Sequence, residues 1–237
     1  MAVTGIKALA FDVFGTVVDW RNSIAREAEA LLAEQGHTVD GQAFALAWRA
    51  RYQPSMEKIR AGRRPFVKLD VLHRENLLDV FSAFGIDGVP EPAIDALNRA
   101  WHRLAPWPDV VEGLGRLKRR HIIAPLSNGN VALMVNLARH AGLPWDVILG
   151  AEVAEAYKPD PKAYQRAAAL LDLDPGKCLM VAAHNDDLVA AAATGMKTAF
   201  VARPEEYGEA QTKDLSADHE FDVIAADFGD LADQLGV

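Results

Sequence analysis

Ile6-Lys7-Ala8-Leu9-Ala10-Phe11-Asp12-Val13-Phe14-Gly15-Thr16 runs an apolar stretch straight into an aspartate and a Gly-Thr turn. A continuous rather than alternating apolar run is the pattern of a strand buried on both faces, as in a parallel sheet. The spacing predicts a strand over Ala8–Val13 with Asp12 at its carboxyl end, where open α/β sheets gather their reactive groups. Similar runs follow at Ile122–Leu126, Val147–Leu149, Cys178–Ala182 and Thr198–Val201. From Ile122 onward they alternate with helix-like segments over Val131–Ala141, Pro161–Leu171 and Asp187–Thr194. That alternation predicts an α/β fold: a Rossmann-like parallel-sheet core with helices on both faces, joined by right-handed crossovers.

The segment from about Trp20 to Ala105 differs. It reads as amphipathic helices over Asn22–Gln35, Gly41–Arg60, Phe66–Phe84 and Ala93–Leu104, broken at Gly36, Gly62, Pro65, Gly85 and Pro90. We expect an inserted all-helical cap domain over 19–105 and a core domain made of 1–18 and 106–237. A cap over the strand ends would exclude water and hold substrate.

Composition narrows the function classes. The 237 residues include 50% hydrophobic side chains, enough for a sizeable core, and carry a formal net charge of −8. That balance argues against nucleic acid and anionic membrane as partners, since both are held by positive charge. The single cysteine, Cys178, excludes an internal disulfide and fits a reducing compartment. No signal peptide is visible, and no apolar run approaches the ~20 residues of a membrane span, so a cytoplasmic protein is expected.

Four segments at predicted strand ends carry the chemistry: Asp12-Val13-Phe14-Gly15-Thr16, Leu126-Ser127-Asn128-Gly129-Asn130, Tyr157-Lys158-Pro159-Asp160 with Tyr164, and Val181-Ala182-Ala183-His184-Asn185-Asp186-Asp187. Each is weak alone; in this order they are a strong signal. With Trp48-Arg49 in the cap, they make the chain resemble the haloacid dehalogenase superfamily, and within it the type II (S)-2-haloacid dehalogenases, over nearly its whole length.

The resemblance implies a reaction. Asp12 would be the nucleophile that displaces halide from a short (S)-2-haloalkanoic acid, giving an aspartyl ester that water hydrolyses to the (R)-2-hydroxy acid. Lys158 would keep Asp12 ionised, Thr16 would orient it, and Asp187 would activate water, with the adjacent Asp186 as rival. Arg49 would accept the halide as charge builds on it, with Arg51 as a nearby competitor. Ser127 and Asn128 would hold the substrate carboxylate, Tyr164 would join the polar network, and Phe14 would line the pocket. Arg49–Arg74 holds eight Lys or Arg against only Glu57 and Asp70, an excess that could also draw in a small anion.

Phosphatases of the superfamily carry a second aspartate two residues after the nucleophile and a metal-binding aspartate four before the last acidic position. Phe14 and Ala183 stand there, which removes hard oxygen ligands and predicts a metal-independent enzyme with no cofactor. The resemblance also implies a homodimer. The chain departs from the type II pattern at Ala182, Ala183 and His184, where the best-known members have serines and an asparagine. His184 is expected near Lys158 or Asp187, or narrowing the pocket, and puts substrate preference in question. Two other reactions stay open: the same covalent chemistry on another leaving group, such as ring opening of azetidine-2-carboxylate, and hydrolysis of a small-molecule phosphate.

Overall fold

The computed structural model describes residues 4–237; the first three residues of the expected 1–18 core segment lie outside it. The chain runs β1 (Ala8–Phe11), β2 (Val18–Asp19), α1 (Trp20–Glu34), α2 (Gly41–Ala50), α3 (Tyr52–Arg60), α4 (Leu69–Phe84) and α5 (Glu91–Asn98). A short 3-10 helix (Arg99–His102) leads to β3 (Ala105–Pro106), α6 (Val110–Leu117), β4 (Ile122–Ser127), α7 (Val131–Ala141), β5 (Leu149–Gly150) and α8 (Ala151–Ala154). Then come α9 (Pro161–Leu170), a 3-10 turn (Pro175–Lys177), β6 (Cys178–Ala182), α10 (Asn185–Ala193), β7 (Lys197–Val201), β8 (Val223–Ala225) and α11 (Phe228–Gln234).

Six strands form one parallel sheet in the order β5-β4-β1-β6-β7-β8. β1 lies between β4 and β6, with Phe11 level with Pro125 on one side and Val181 on the other. The chain winds outward in both directions from β1, so a crevice opens beyond its carboxyl end. Side chains alternate across the sheet: Leu9, Phe11, Leu179 and Val181 pack into one apolar cluster, and Ala8, Ala10, Met180 and Ala182 into another with Tyr164 and Phe200. Covering both faces explains the unbroken apolar runs. Cys178 is buried among them as a free thiol.

β2 and β3 pair antiparallel, Val18 with Pro106 and Asp19 with Ala105, and draw the two ends of the helical segment together. α1 starts where the Asp19 side chain accepts from the Asn22 N–H at 3.0 Å, and α2 where Asp40 accepts from Ala43 N–H at 3.0 Å; each carboxylate satisfies an otherwise unpaired helix donor. The expected Gly41–Arg60 helix is two, broken at Arg51, whose Nη1 turns back to the Ala47 carbonyl at 2.9 Å. The expected Phe66–Phe84 helix starts only at Leu69, and the Ala93–Leu104 segment begins at Glu91 and tightens to a 3-10 turn. The Ala8–Val13 strand stops at Phe11, leaving Asp12 in the turn. The Val147–Leu149 expectation shifts to the two-residue β5.

The helical segment sits on the strand ends. Tyr157 Oη donates to Val67 O at 2.7 Å, Arg60 Nη1 to Lys158 O at 3.0 Å, and Asn130 binds both the backbone and the carboxylate of Asp70. Beneath these tethers an aromatic wall of Phe14, Trp20, Trp48 and Trp101 is buried, with Trp101 5.5 Å from both Phe14 and Trp48 between ring centres. Edge-to-face pairs of this kind add about 0.5–1.5 kcal/mol each beyond simple burial. None of the helices is long and apolar enough to cross a membrane among the described residues.

Candidate active site

Asp12 leaves the end of β1 as a buried residue at the foot of a cavity of about 630 Å³ between sheet and helices. Oδ2 accepts from Thr16 Oγ1 at 2.8 Å and lies 3.0 Å from His184 Nδ1. Among the described residues Oδ1 accepts from Lys158 Nζ alone, at 2.9 Å, which leaves it a lone pair for attack. Thr16 is itself fixed, since its hydroxyl accepts from Ala183 N–H at 2.9 Å. Burial opposes ionisation of Asp12, but the Lys158 and His184 charges outweigh it and hold the carboxyl well below the usual range.

Lys158 Nζ lies between two carboxylates, Asp12 Oδ1 and Asp187 Oδ2, the latter at 2.5 Å. Burial alone would lower its pKa; these neighbours push it up, so it stays an ammonium. Asp187 also accepts from Tyr164 Oη at 2.5 Å. Asp186, next along α10, faces outward to Lys213 with its side chain 85% exposed. Successive helix residues are ~100° apart, so only one of the pair can face Lys158.

Asn128 lines the cavity, and its Oδ1 accepts from Lys158 N–H at 2.8 Å, leaving the Nδ2 group as a donor. Ser127 is fully buried beside it, with Oγ accepting from Gly129 N–H at 3.0 Å, and does not reach the cavity wall. Arg49 does reach it, with its guanidinium carbon 4.1 Å from the Tyr52 ring centre and 5.3 Å from that of Trp20. Its Nη1 is buried without a hydrogen-bond partner among the described residues. A buried cation with an unused donor suits an anion arriving in the cavity. Arg51 does not line it. Of the other basic residues in the Arg49–Arg74 run, Arg64 pairs with Glu75, and Arg74 with Glu91 and Asp95, on the surface.

Of the placements expected for His184, the structure has it lining the cavity, with direct contacts to neither Lys158 nor Asp187. Its two ring nitrogens lie between Asp12 Oδ2 and Glu206 Oε2, the latter at 2.8 Å. Glu206 is 1% exposed and its other oxygen accepts from Trp20 Nε1 at 2.8 Å. An imidazole facing two carboxylates must donate from both nitrogens, so it is the cation. Burial opposes that charge; Glu206 and Asp12 outweigh it and raise the pKa well above its ordinary value. Gly15 makes room: its φ is +92°, and a Cβ there would lie 2.1 Å from Glu206 Oε1. Glu206, Trp20 and Tyr52 were missed in the sequence. Only Gly15, a glycine beside the nucleophile, hints that another group comes close.

A divalent cation does not fit these residues. The ammonium of Lys158 already occupies the place between Asp12 and Asp187, Asp12 Oδ2 already takes two donors, and Phe14 and Ala183 offer no side-chain oxygen. Among the described residues no group of three or more His, Cys, Asp or Glu is arranged to hold a metal ion.

Comparison with known proteins agrees with this arrangement. A family model for haloacid dehalogenase-like hydrolases matches residues 6–195. The (S)-2-haloacid dehalogenase of Pseudomonas sp. (strain YL) is 30% identical over 206 residues, covering 84% of this chain and 83% of that protein. Two solved structures superpose along the chain. One is the defluorinating L-2-haloacid dehalogenase Rha0230, at 50% identity and TM-score 0.97, covering 100% of this chain and 99% of that one. The other is the L-2-haloacid dehalogenase PA0810, at 47% identity and TM-score 0.94, covering 97% and 98%.

Proposed function

Because the chain belongs to the haloacid dehalogenase-like hydrolases, we propose that it removes halide from short (S)-2-haloalkanoic acids by way of an ester on Asp12. The observation that carries this reading is the ion triad Asp12–Lys158–Asp187, set in a site where Phe14 and Ala183 replace the ligands a metal would need. The substrate carboxylate meets the Asn128 amide, behind which Ser127 shapes the turn. The halide points toward the unpaired Nη1 of Arg49. Asp12 Oδ1 attacks the carbon from the side opposite the halide, so an (S)-acid gives an (R)-hydroxy acid. Alignment of oxygen, carbon and halide by the apolar wall of Phe14 supplies much of the rate. Asp187, steadied by Tyr164 and Lys158, then takes a proton from the water that opens the ester.

Halide release measured with (S)-2-chloropropionate, fluoroacetate and an excess of chelator tests this directly. We expect chloride from the (S) isomer alone, (R)-lactate as product, and no effect of the chelator. Fluoride release is expected as well, supported by the 50% identical relative described as defluorinating and by the donor held free on Arg49. Hydrolysis of p-nitrophenyl phosphate that needs magnesium, with no halide freed from any haloacid, would exclude the proposal. A cytoplasmic homodimer completes the reading, supported by the family resemblance and the single buried Cys178; light scattering at micromolar concentration would show a mass of twice 25.8 kDa.

A further inference from the structure

The His184–Glu206 pair stands on the side of Asp12 away from Lys158, and the proposed steps leave it without a task. Its geometry is specific. His184 Nδ1 is 3.0 Å from Oδ2, while the attacking oxygen is Oδ1. Thr16 Oγ1 donates to the same Oδ2 at 2.8 Å. When Oδ1 becomes the ester oxygen, Oδ2 becomes the carbonyl oxygen, and two donors already point at it.

We propose that His184 is a catalytic residue of the second half-reaction, the donor that with Thr16 takes up the charge on Oδ2 while water opens the ester, and that Glu206 positions it. This rests on the dehalogenase reading above. The step balances as follows. Water adds its oxygen to Cγ of Asp12 and gives one proton to Asp187. The C=Oδ2 π pair moves to Oδ2, where the His184 and Thr16 N–H and O–H bonds hold the oxyanion. On collapse that pair re-forms the carbonyl and the Cγ–Oδ1 bond breaks. The departing alkoxide takes the proton from Asp187 and leaves as the hydroxy acid. The remaining Asp12 carboxylic acid releases its proton to solvent and returns as carboxylate, carrying an oxygen from water.

The two half-reactions make opposite demands on this donor. In the first, charge leaves Asp12, so a cation on Oδ2 keeps the nucleophile ionised but does not favour the transition state of the attack. In the second, charge returns to Oδ2, so the cation selectively stabilises the transition state. The imidazolium therefore belongs to ester hydrolysis. Charge around His184 is set from every side: Asp12 after β1, Glu206 from the loop after β7, Lys158 before α9, Asp187 on α10, and Arg49 on α2 beyond Glu206. Glu206 itself is fixed by Trp20 Nε1 and by the missing side chain at Gly15.

The test is rapid-quench kinetics of His184→Gln, His184→Asn and Glu206→Gln with (S)-2-chloropropionate, measuring free halide and mass on the Asp12 peptide, with thermal melts to confirm folding. Removal of one oxyanion donor costs about 100- to 1,000-fold in ester hydrolysis. The His184 variants should therefore give a burst approaching one halide per site, an Asp12 adduct, and a kcat lowered by that factor. Glu206→Gln should lower kcat less, leave KM unchanged, and bring an alkaline limb of kcat down by about 1–3 pH units as the imidazolium loses its counter-charge. Loss of kcat with no burst and no adduct in folded variants would place His184 in the first step and overturn the inference. Unmodified protein that frees no halide would overturn the inference together with the dehalogenase reading, whereas normal turnover with unchanged variants would overturn the inference alone.

Discussion

Replacing Lys158 by Met removes one charge from the centre of the site and keeps the length and most of the apolar stem. In the native protein the ammonium is 7% exposed and answers two carboxylates, each 11% exposed. Taking away one partner of a buried ion pair costs about 3–5 kcal/mol, because the charges left behind stay desolvated. For a domain of this size each kcal/mol is about 2–4 °C in Tm, so Lys158→Met should melt lower by about 6–20 °C at pH 7. The effect has a pH signature. Asp12 titrates below its ordinary value of 3.8 in the fold, so its contribution is full above that pH and fades as pH falls through the folded value. Without Lys158 the burial of Asp12 is less well opposed, its carboxyl shifts upward, and protonation relieves it. The deficit should be largest near neutrality and shrink below about pH 4. Adding Asp12→Asn should recover part of the loss, with a coupling of at least about 1 kcal/mol between the two positions. Circular dichroism melts of the four proteins from pH 3 to 8 measure all of this. A Tm within about 2 °C of the parent at pH 7, or a deficit that does not change with pH, would refute the counter-ion role.

Three further outcomes are expected. Arg49→Lys loses the ring contacts at 4.1 and 5.3 Å and the forked donors, and should lower kcat/KM for chloropropionate about 10- to 100-fold, with fluoroacetate suffering more; equal losses for both halides on a halide electrode would argue against the leaving-group role. His73 is buried, stacked 4.3 Å from Trp101 with both ring nitrogens unpartnered, and burial lowers its pKa to about 3. Between about pH 3 and 6.5 the unfolded chain takes a proton the fold refuses, so stability drops as pH falls through that window; His73→Phe should move the acid-unfolding midpoint to lower pH, and an unmoved midpoint would contradict it. Gly15→Ala meets Glu206 in a backbone conformation costly to alanine, so it should cost about 1–3 kcal/mol in chemical denaturation. If its cost is unchanged when Glu206→Ala is added, the steric contact is not the cause.

The parallel core was readable because strands buried on both faces must be apolar, and Ala8–Phe11, Cys178–Ala182 and all of Ile122–Ser127 but its last residue are. Short or edge elements were not. The segments β2, β3, α6, β8 and α11 carry two to eight residues each, too few for a period to stand out, and they are fixed by neighbours such as the Asp109–Arg203 pair rather than by their own pattern. Among site residues, those beside the strand ends (Asp12, Thr16, Asn128, Lys158, Asp187) were legible because chain order places them there. Glu206 was not, since nothing near Pro204 and Glu205 distinguishes it from a surface acid.

What the sequence determined by itself was the class of fold and the kind of chemistry. A periodicity of burial and a set of strand-end residues are local properties, and they survive without coordinates. What tertiary structure decided was the charge state and direction of each group. Asp187 rather than Asp186 faces Lys158 because of helix phase, Arg49 rather than Arg51 faces the cavity because the Arg51 guanidinium is held by the Ala47 and Asp79 carbonyls, and His184 is a cation because a glutamate 22 residues away closes on it through the gap left by Gly15. Electrostatics depends on distance and burial, and both are set only when the chain has packed.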